Sequence, residues 1–106
     1  DTSEQVSVRI QKAREIQAQR YSAYDLNGRT PINANADGST LEAVTPMNDE
    51  TRDLLRRCVE QAKLSARGYY RILRVARTIA DLNGGSHEVT KSDIAEALSY
   101  RRLAFS

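Results

Sequence analysis

From Leu64 to Leu82 the chain reads as one amphipathic helix, and this stretch limits the rest of the fold more than any other. At 100° per residue, Tyr69, Ile72, Leu73, Ala76, Ile79 and Ala80 gather on one side. Arg67, Arg71, Arg74 and Arg77 fall within about a third of the circumference on the other. One face is built to pack, and the other to meet negative charge. Ser65 is placed to cap the start. Asn83-Gly84-Gly85 stops the helix, because Asn and Gly tolerate the left-handed conformation at a helix C-terminus.

The other periodic segments are helical as well. Ser3 to Tyr21 predicts a first helix, with Ser3 as N-cap and Val6, Ile10, Ala13 and Gln17 on its packing stripe. A second runs from Asp49 to Lys63. Asn48 caps it, Asp49, Glu50 and Asp53 suit its positive end, and Leu54, Leu55, Cys58, Val59 and Ala62 form the buried stripe. The last runs from Lys91 to Arg102, opened by a Thr90-Lys91-Ser92-Asp93 capping box, with Ile94, Ala97, Leu98 and Leu103 facing the core and Arg101 and Arg102 at its negative end. No segment alternates apolar and polar residues over a useful length, so the class is all-α, a bundle of four principal helices in one domain over residues 1–106. Between the first two helices, residues 22–47 hold Asn27-Gly28, Thr30-Pro31, Asp37-Gly38 and Pro46. This predicts a long, partly mobile connector with one short helical turn from Ser39 to Val44.

Composition excludes several classes of function. The net charge is +2, too low for a domain that binds nucleic acid by charge alone. The 16 basic residues are nevertheless nearly all arginine, the side chain suited to multidentate contact with phosphate or carboxylate. The single cysteine, Cys58, rules out an internal disulfide or a thiolate metal cluster and reads as a small core residue. There is no phosphate-cradling Gly-x-x-x-x-Gly-Lys-Ser/Thr loop, no paired carboxylates and no metal-ligand spacing. The lone histidine, His87, falls in a turn. These absences argue against a self-contained enzyme and against a metal site. No apolar run approaches a membrane span, and no signal peptide is visible. The chain opens at Asp1 inside a helical pattern, as a piece of a longer protein would.

Within the arginine ladder Arg67 stands apart. It lies in the first turn of its helix, where the macrodipole disfavours a cation by about 0.3–1 kcal/mol. Either Glu60 or Asp93 pairs with it, or it points at an anion that the free helix N–H groups also bind. Arg71, Arg74 and Arg77 read more simply as a solvated or domain-docking face, with Arg77 and Asp81 spaced to pair at i,i+4. Tyr69 falls on the packing arc. Tyr70 lies at its boundary, with no aromatic partner evident for base stacking.

The run Leu64 to Leu82, followed by Asp93-Ile94-Ala95-Glu96-Ala97-Leu98-Ser99-Tyr100-Arg101, closely resembles the C-terminal segment of magnesium-chelatase-like AAA+ ATPases of the ComM/YifB type. Val6, Arg9, Ile10, Ala13, Arg14, Gln17 and Arg20 fit that family's pattern ahead of these helices. Ser7 stands where an arginine is common, and residues 22–47 match loosely, mainly at Asn33-Ala34 and Leu41. The resemblance implies a small helical lid that follows a P-loop ATPase domain. In such lids an arginine at the start of the third helix, the sensor 2, contacts the γ-phosphate region of ATP. Arg67 matches that position. The resemblance further implies ATP with Mg2+ as cofactors of the full-length protein, none for this piece alone, a hexameric ring of subunits, a cytoplasmic location and no membrane. It also implies ATP-driven DNA processing of the branch-migration kind.

Arg71, Arg74, Arg77, Arg9 and Arg14 are then the candidates for contact with a neighbouring subunit or nucleic acid. Two other readings remain: an independent helical nucleic-acid-binding module using the face from Arg67 to Arg77, and the lid of a metal-chelatase motor subunit.

Overall fold

The computed structural model describes residues 2–105, with side chains described for residues 2–100. Helix α1 spans Ser3–Arg20, α2 Gly38–Val44, α3 Asp49–Ala62, α4 Ala66–Leu82 and α5 Lys91–Phe105. Two 3₁₀ turns, Tyr21–Ala23 and Asn33–Asn35, lie between α1 and α2. No strand occurs among the described residues, so the all-α expectation holds, with α2 added to the four principal helices. The centre of the bundle is α4, which packs against α5, α1, α2 and the Asn33–Asn35 turn, while α3 leans on α5.

Local chemistry sets most of the boundaries. Asn48 Oδ1 accepts the Thr51 amide at 2.8 Å and starts α3. Ser65 Oγ accepts the Gly68 amide at 3.2 Å and starts α4. Thr90 and Asp93 exchange reciprocal bonds ahead of α5, with the Thr90 amide donating to Asp93 at 2.9 Å and the Asp93 amide to Thr90 at 3.3 Å. Beyond α4, Gly84 and Gly85 both have positive φ, and the Gly85 amide reaches back to the Ala80 carbonyl. A side chain at Gly85 would also strike Ile16, since a Cβ there would lie 2.4 Å from that residue's terminal methyl.

The start of α1 differs from the expectation. Thr2, not Ser3, is the N-cap, and it forms a full capping box with Gln5. The box needs its partner three positions on, and from Ser3 that position is Val6, which has no side-chain acceptor.

The core contains Tyr21, Leu26, Ala36, Leu41, Val44, Leu55, Ile72, Leu73, Ala76, Ile79, Ala80, Val89, Ile94 and Ala97. The apolar face of α4 thus packs as its periodicity implies. The expected stripes of α1 and α3 are only partly realised. Ala13 and Gln17 are buried, whereas Val6 and Ile10 are exposed because every residue from 2 to 12 lies on the surface. On α3 Leu55 is buried, Leu54, Cys58 and Val59 are half-buried, and Ala62 is exposed. The side chains of Arg101, Arg102 and Leu103 lie outside the described residues.

The larger correction concerns residues 22–47. Leu26, Asn33, Ala36, Leu41, Val44 and Thr45 are all buried. Breaker residues set the local turns of this segment, but these side chains go into the bundle, while Tyr24, Asn27 and Ala34 stay exposed. It is a packed layer over α4 rather than a loose tether. Asp37 accepts the Thr40 amide at 2.8 Å and caps α2.

Beneath this layer lies a buried polar cluster. Asp81, 2% exposed, accepts two hydrogen bonds from Arg20, at 2.5 and 2.8 Å. It also accepts one from Asn33 Nδ2 at 3.0 Å, and Arg77 lies 3.4 Å away. Asn33 is itself saturated. Its oxygen accepts from Tyr21 at 2.7 Å and Arg20 at 3.2 Å, and its amide group also donates to Thr78 at 3.0 Å. Its backbone N–H donates to Gln17 Oε1 at 2.9 Å. Burial opposes the charge of Arg20, but the hydrogen bond and charge of Asp81 outweigh it and raise its pKa. For Arg77 burial, followed by repulsion from Arg20, prevails and lowers the pKa. The difference follows the geometry, because Asp81 grips Arg20 with both oxygens and meets Arg77 at longer range.

Removing the one carboxylate from this cluster strands two guanidinium groups. Asp81→Asn is expected to destabilise the chain by about 3–5 kcal/mol, read from the midpoint of urea unfolding. A loss below about 1 kcal/mol would show that the cluster does not hold the layers together.

Candidate functional site

The four arginines of α4 do not share one environment. Arg67 and Arg71 are exposed, Arg74 is half-buried and Arg77 is 1% exposed. Arg77 was expected on a solvated or docking face. Instead it donates to the carbonyls of Val44 at 2.9 Å, His87 at 2.8 Å and Ser86 at 2.5 Å, and pairs with Asp81 as the i,i+4 spacing implied. With no exposed edge, it is not available to nucleic acid or a neighbouring subunit. Arg74 donates to the Ala36 carbonyl at 3.1 Å, so it too holds the connecting layer. On the helical wheel Arg77 sits about 80° from Arg67 but only about 40° from Leu73, on the flank that the connecting layer covers.

Arg67 keeps its separate place. It lies at the second position of α4, exposed, and among the described residues no hydrogen bond or ion pair engages it. Neither carboxylate considered as its partner pairs with it: Asp93 is buried in its capping box, and Glu60 is exposed without an ion pair among the described residues. The preceding turn reverses the chain through Lys63, which takes the left-handed conformation at φ 53° and ψ 47°, so that α4 starts close to the end of α3. Ser65 takes the Gly68 amide, and the amides of Ala66 and Arg67 are left at the helix start without an intrahelical acceptor. Arg67 and these two N–H groups lie in the same first turn of α4, at the positive end of the helix dipole, where an anion is favoured. No three His, Cys, Asp or Glu side chains come together as a metal-holding group among the described residues.

Just past Arg67, two tyrosines fasten α4 to α2. The Tyr69 hydroxyl donates a short hydrogen bond to Glu42, and Tyr70 lies over Gly38. Their rings meet edge-on with centroids 5.0 Å apart, so Tyr70 does have an aromatic neighbour, but one that packs it into the fold. Burial, then the Glu42 hydrogen bond and charge, raises the Tyr69 pKa.

Arg9 and Arg14 are exposed on α1. Arg9 joins Arg74, Ala34, Thr78 and Tyr100 around a cleft of about 460 Å³ between α1, α4 and α5. Arg14 is not brought together with the others there. Sequence reasoning passed over Glu42 and Thr78, and took Asn33 and Arg20 only as parts of a family pattern. The buried polar role of Asn33 and Arg20 leaves no periodic trace, because each is satisfied by residues far along the chain.

The pH dependence of Tyr69 gives a direct check on the α2–α4 contact. A tyrosine whose folded pKa is raised stabilises the fold fully below its unfolded value of 10.0, and that stability is lost as pH rises toward the folded pKa. Over the first pH unit above 10, Tyr69→Phe is expected to reduce the fall in unfolding free energy by about 1 kcal/mol. Equal slopes for the two proteins in urea titrations would show that the Tyr69 hydroxyl is not held.

No solved structure matches this chain significantly. Among curated proteins it is 37% identical to the Competence protein ComM of Haemophilus influenzae over 97% of this chain and 18% of that protein. It is 31% identical to the uncharacterized protein YifB of Escherichia coli over 97% of this chain and 19% of the relative. The chain therefore spans about a fifth of the length of these relatives. The sequence model for the magnesium chelatase subunit ChlI C-terminal family matches residues 1–101, and the chain belongs to that family.

Proposed function

We propose that this chain is the helical lid of a magnesium-chelatase-type AAA+ ATPase and that Arg67 is its sensor-2 arginine. The observation that carries the reading is the placement of Arg67: exposed at the start of α4, beside two uncapped amides and with no partner among the described residues. Family membership supports the lid part of this reading, and the electrostatics of a helix start suit an arginine that meets an anion.

In this reading an upstream P-loop domain provides most of the contacts to ATP and its Mg2+, and the bound nucleotide supplies the phosphoryl group to be transferred. The chain's own part is to bring one guanidinium and a helix N-terminus to the phosphate edge. A cation there offsets negative charge that builds up around the transferring group. Because Arg67 is fixed to α4, and α4 is the centre of the bundle, gaining or losing that anion biases the orientation of the lid as a whole.

The full-length protein is proposed to work as a hexameric ring in the cytoplasm, with its lid against neighbouring subunits and its turnover driving DNA processing as in ComM-like branch migration. Similarity to a competence protein supports that assignment over metal insertion into a porphyrin. Among the described residues no helix is long and apolar enough to cross a membrane.

The test is Arg67→Ala in the full-length protein. It is expected to lower kcat/KM for ATP by about ten- to hundredfold, the loss of one charge-assisted hydrogen bond in the transition state, with thermal stability unchanged. Unchanged steady-state ATPase kinetics would remove the sensor assignment.

A further inference from the structure

Arg67 has no partner among the described residues to hold it, so its position depends on the turn of helix that bears it. A first helical turn is the least secured part of a helix, because its amides lack intrahelical acceptors. Its position depends on side-chain anchors, and the neighbouring contacts show what they are. Ser65 secures the cap. Two residues beyond Arg67, the Tyr69 hydroxyl donates to Glu42 on α2. One residue further, Tyr70 covers Gly38 so closely that a Cβ there would sit 2.7 Å from the ring. Asp37 fixes the start of α2, and Leu41, fully buried, roots it in the core. Along the same flank Arg74 and Arg77 hold the carbonyls of Ala36 and Val44, at either end of α2. Thus α2 is fastened along successive turns of α4, and Glu42 is its contact nearest to Arg67.

We propose that Glu42 is a positioning residue for Arg67: through Tyr69 it seats the first turn of α4 on α2 and so fixes where the guanidinium meets its anion. Glu42 touches no nucleotide in this scheme. The inference rests on the phosphate-contacting role of Arg67 and adds the element that makes that role geometrically defined. It also gives the segment from 22 to 47 a functional part, since the anchor for the sensing turn comes from within it.

A double-mutant cycle in the full-length protein separates positioning from general stability. Glu42→Ala is expected to raise KM for ATP about three- to tenfold, within the net value of one hydrogen bond, while Glu42→Gln, whose amide oxygen still accepts the hydroxyl, stays within about twofold of the parent. In an Arg67→Ala background Glu42→Ala is expected to add less than about twofold, because nothing is left to position. Tyr69→Phe, which removes only the hydroxyl, should repeat the pattern and serves if Glu42→Ala does not fold. The same loss from Glu42→Ala or Tyr69→Phe in both backgrounds would overturn the inference, as would no loss in either while Arg67→Ala alone impairs turnover. If Arg67→Ala itself has no effect, the phosphate role fails first and the positioning role falls with it.

Discussion

The fold depends on one buried carboxylate. Asp81 is shared by Arg20 from the end of α1, Arg77 from its own helix and Asn33 from the connecting layer. Each of these groups would be costly to bury alone, since a charge or amide removed from water must recover its hydrogen bonds inside the protein. Together they recover most of those bonds, with the Arg77 Nε left unpaired, and the geometry that pairs them places α1, the connecting layer and α4 in one arrangement. Arg77 extends the constraint to the loop after α4 and the end of α2 through three backbone carbonyls. An apolar core of this size can tolerate small slides between helices. A set of directed bonds to a single carboxylate tolerates far less.

That constraint also explains why a run of four arginines sits in two different environments. The wheel places Arg77 at the edge of the arc, beside Leu73, where the connecting layer passes over it. Its positive charge is spent on carbonyls and Asp81. Arg67, at the other end of the helix, is clear of that layer and remains available. The ladder is therefore graded along α4, from an exposed arginine suited to an external anion to a buried one that binds the protein's own backbone. A nucleic-acid-binding stripe running the length of the helix would need all four side chains at the surface.

What could be read in the sequence follows from the range of the interactions. The caps at Asn48, Ser65 and Thr90 and the stop at Gly84-Gly85 are decided by residues three to five positions apart, and they stand where local chemistry puts them. The apolar face of α4 is legible for the same reason. The roles of Asn33, Arg20 and Glu42 are not, because their partners lie 12 to 61 positions away. The segment from 22 to 47 misleads for a related reason. Glycine, proline and asparagine mark turns reliably, but a segment full of turns can still be packed when its few apolar and amide side chains point inward. Val6 and Ile10 err in the opposite direction: they have helical spacing, yet both stay exposed on α1.

At the centre of this account is the division of the ladder into a fold-holding arginine and an anion-facing one. The most direct measurement is the structure of the full-length protein bound to a non-hydrolysable ATP analogue, with the distance read from the Arg67 guanidinium to the terminal phosphate oxygens. The account expects about 2.7–2.9 Å, the length of a charge-assisted hydrogen bond, with Arg77 still on its carbonyls. Arg67 directed into solvent with the nucleotide in place, or Arg77 released to reach an external anion, would contradict it.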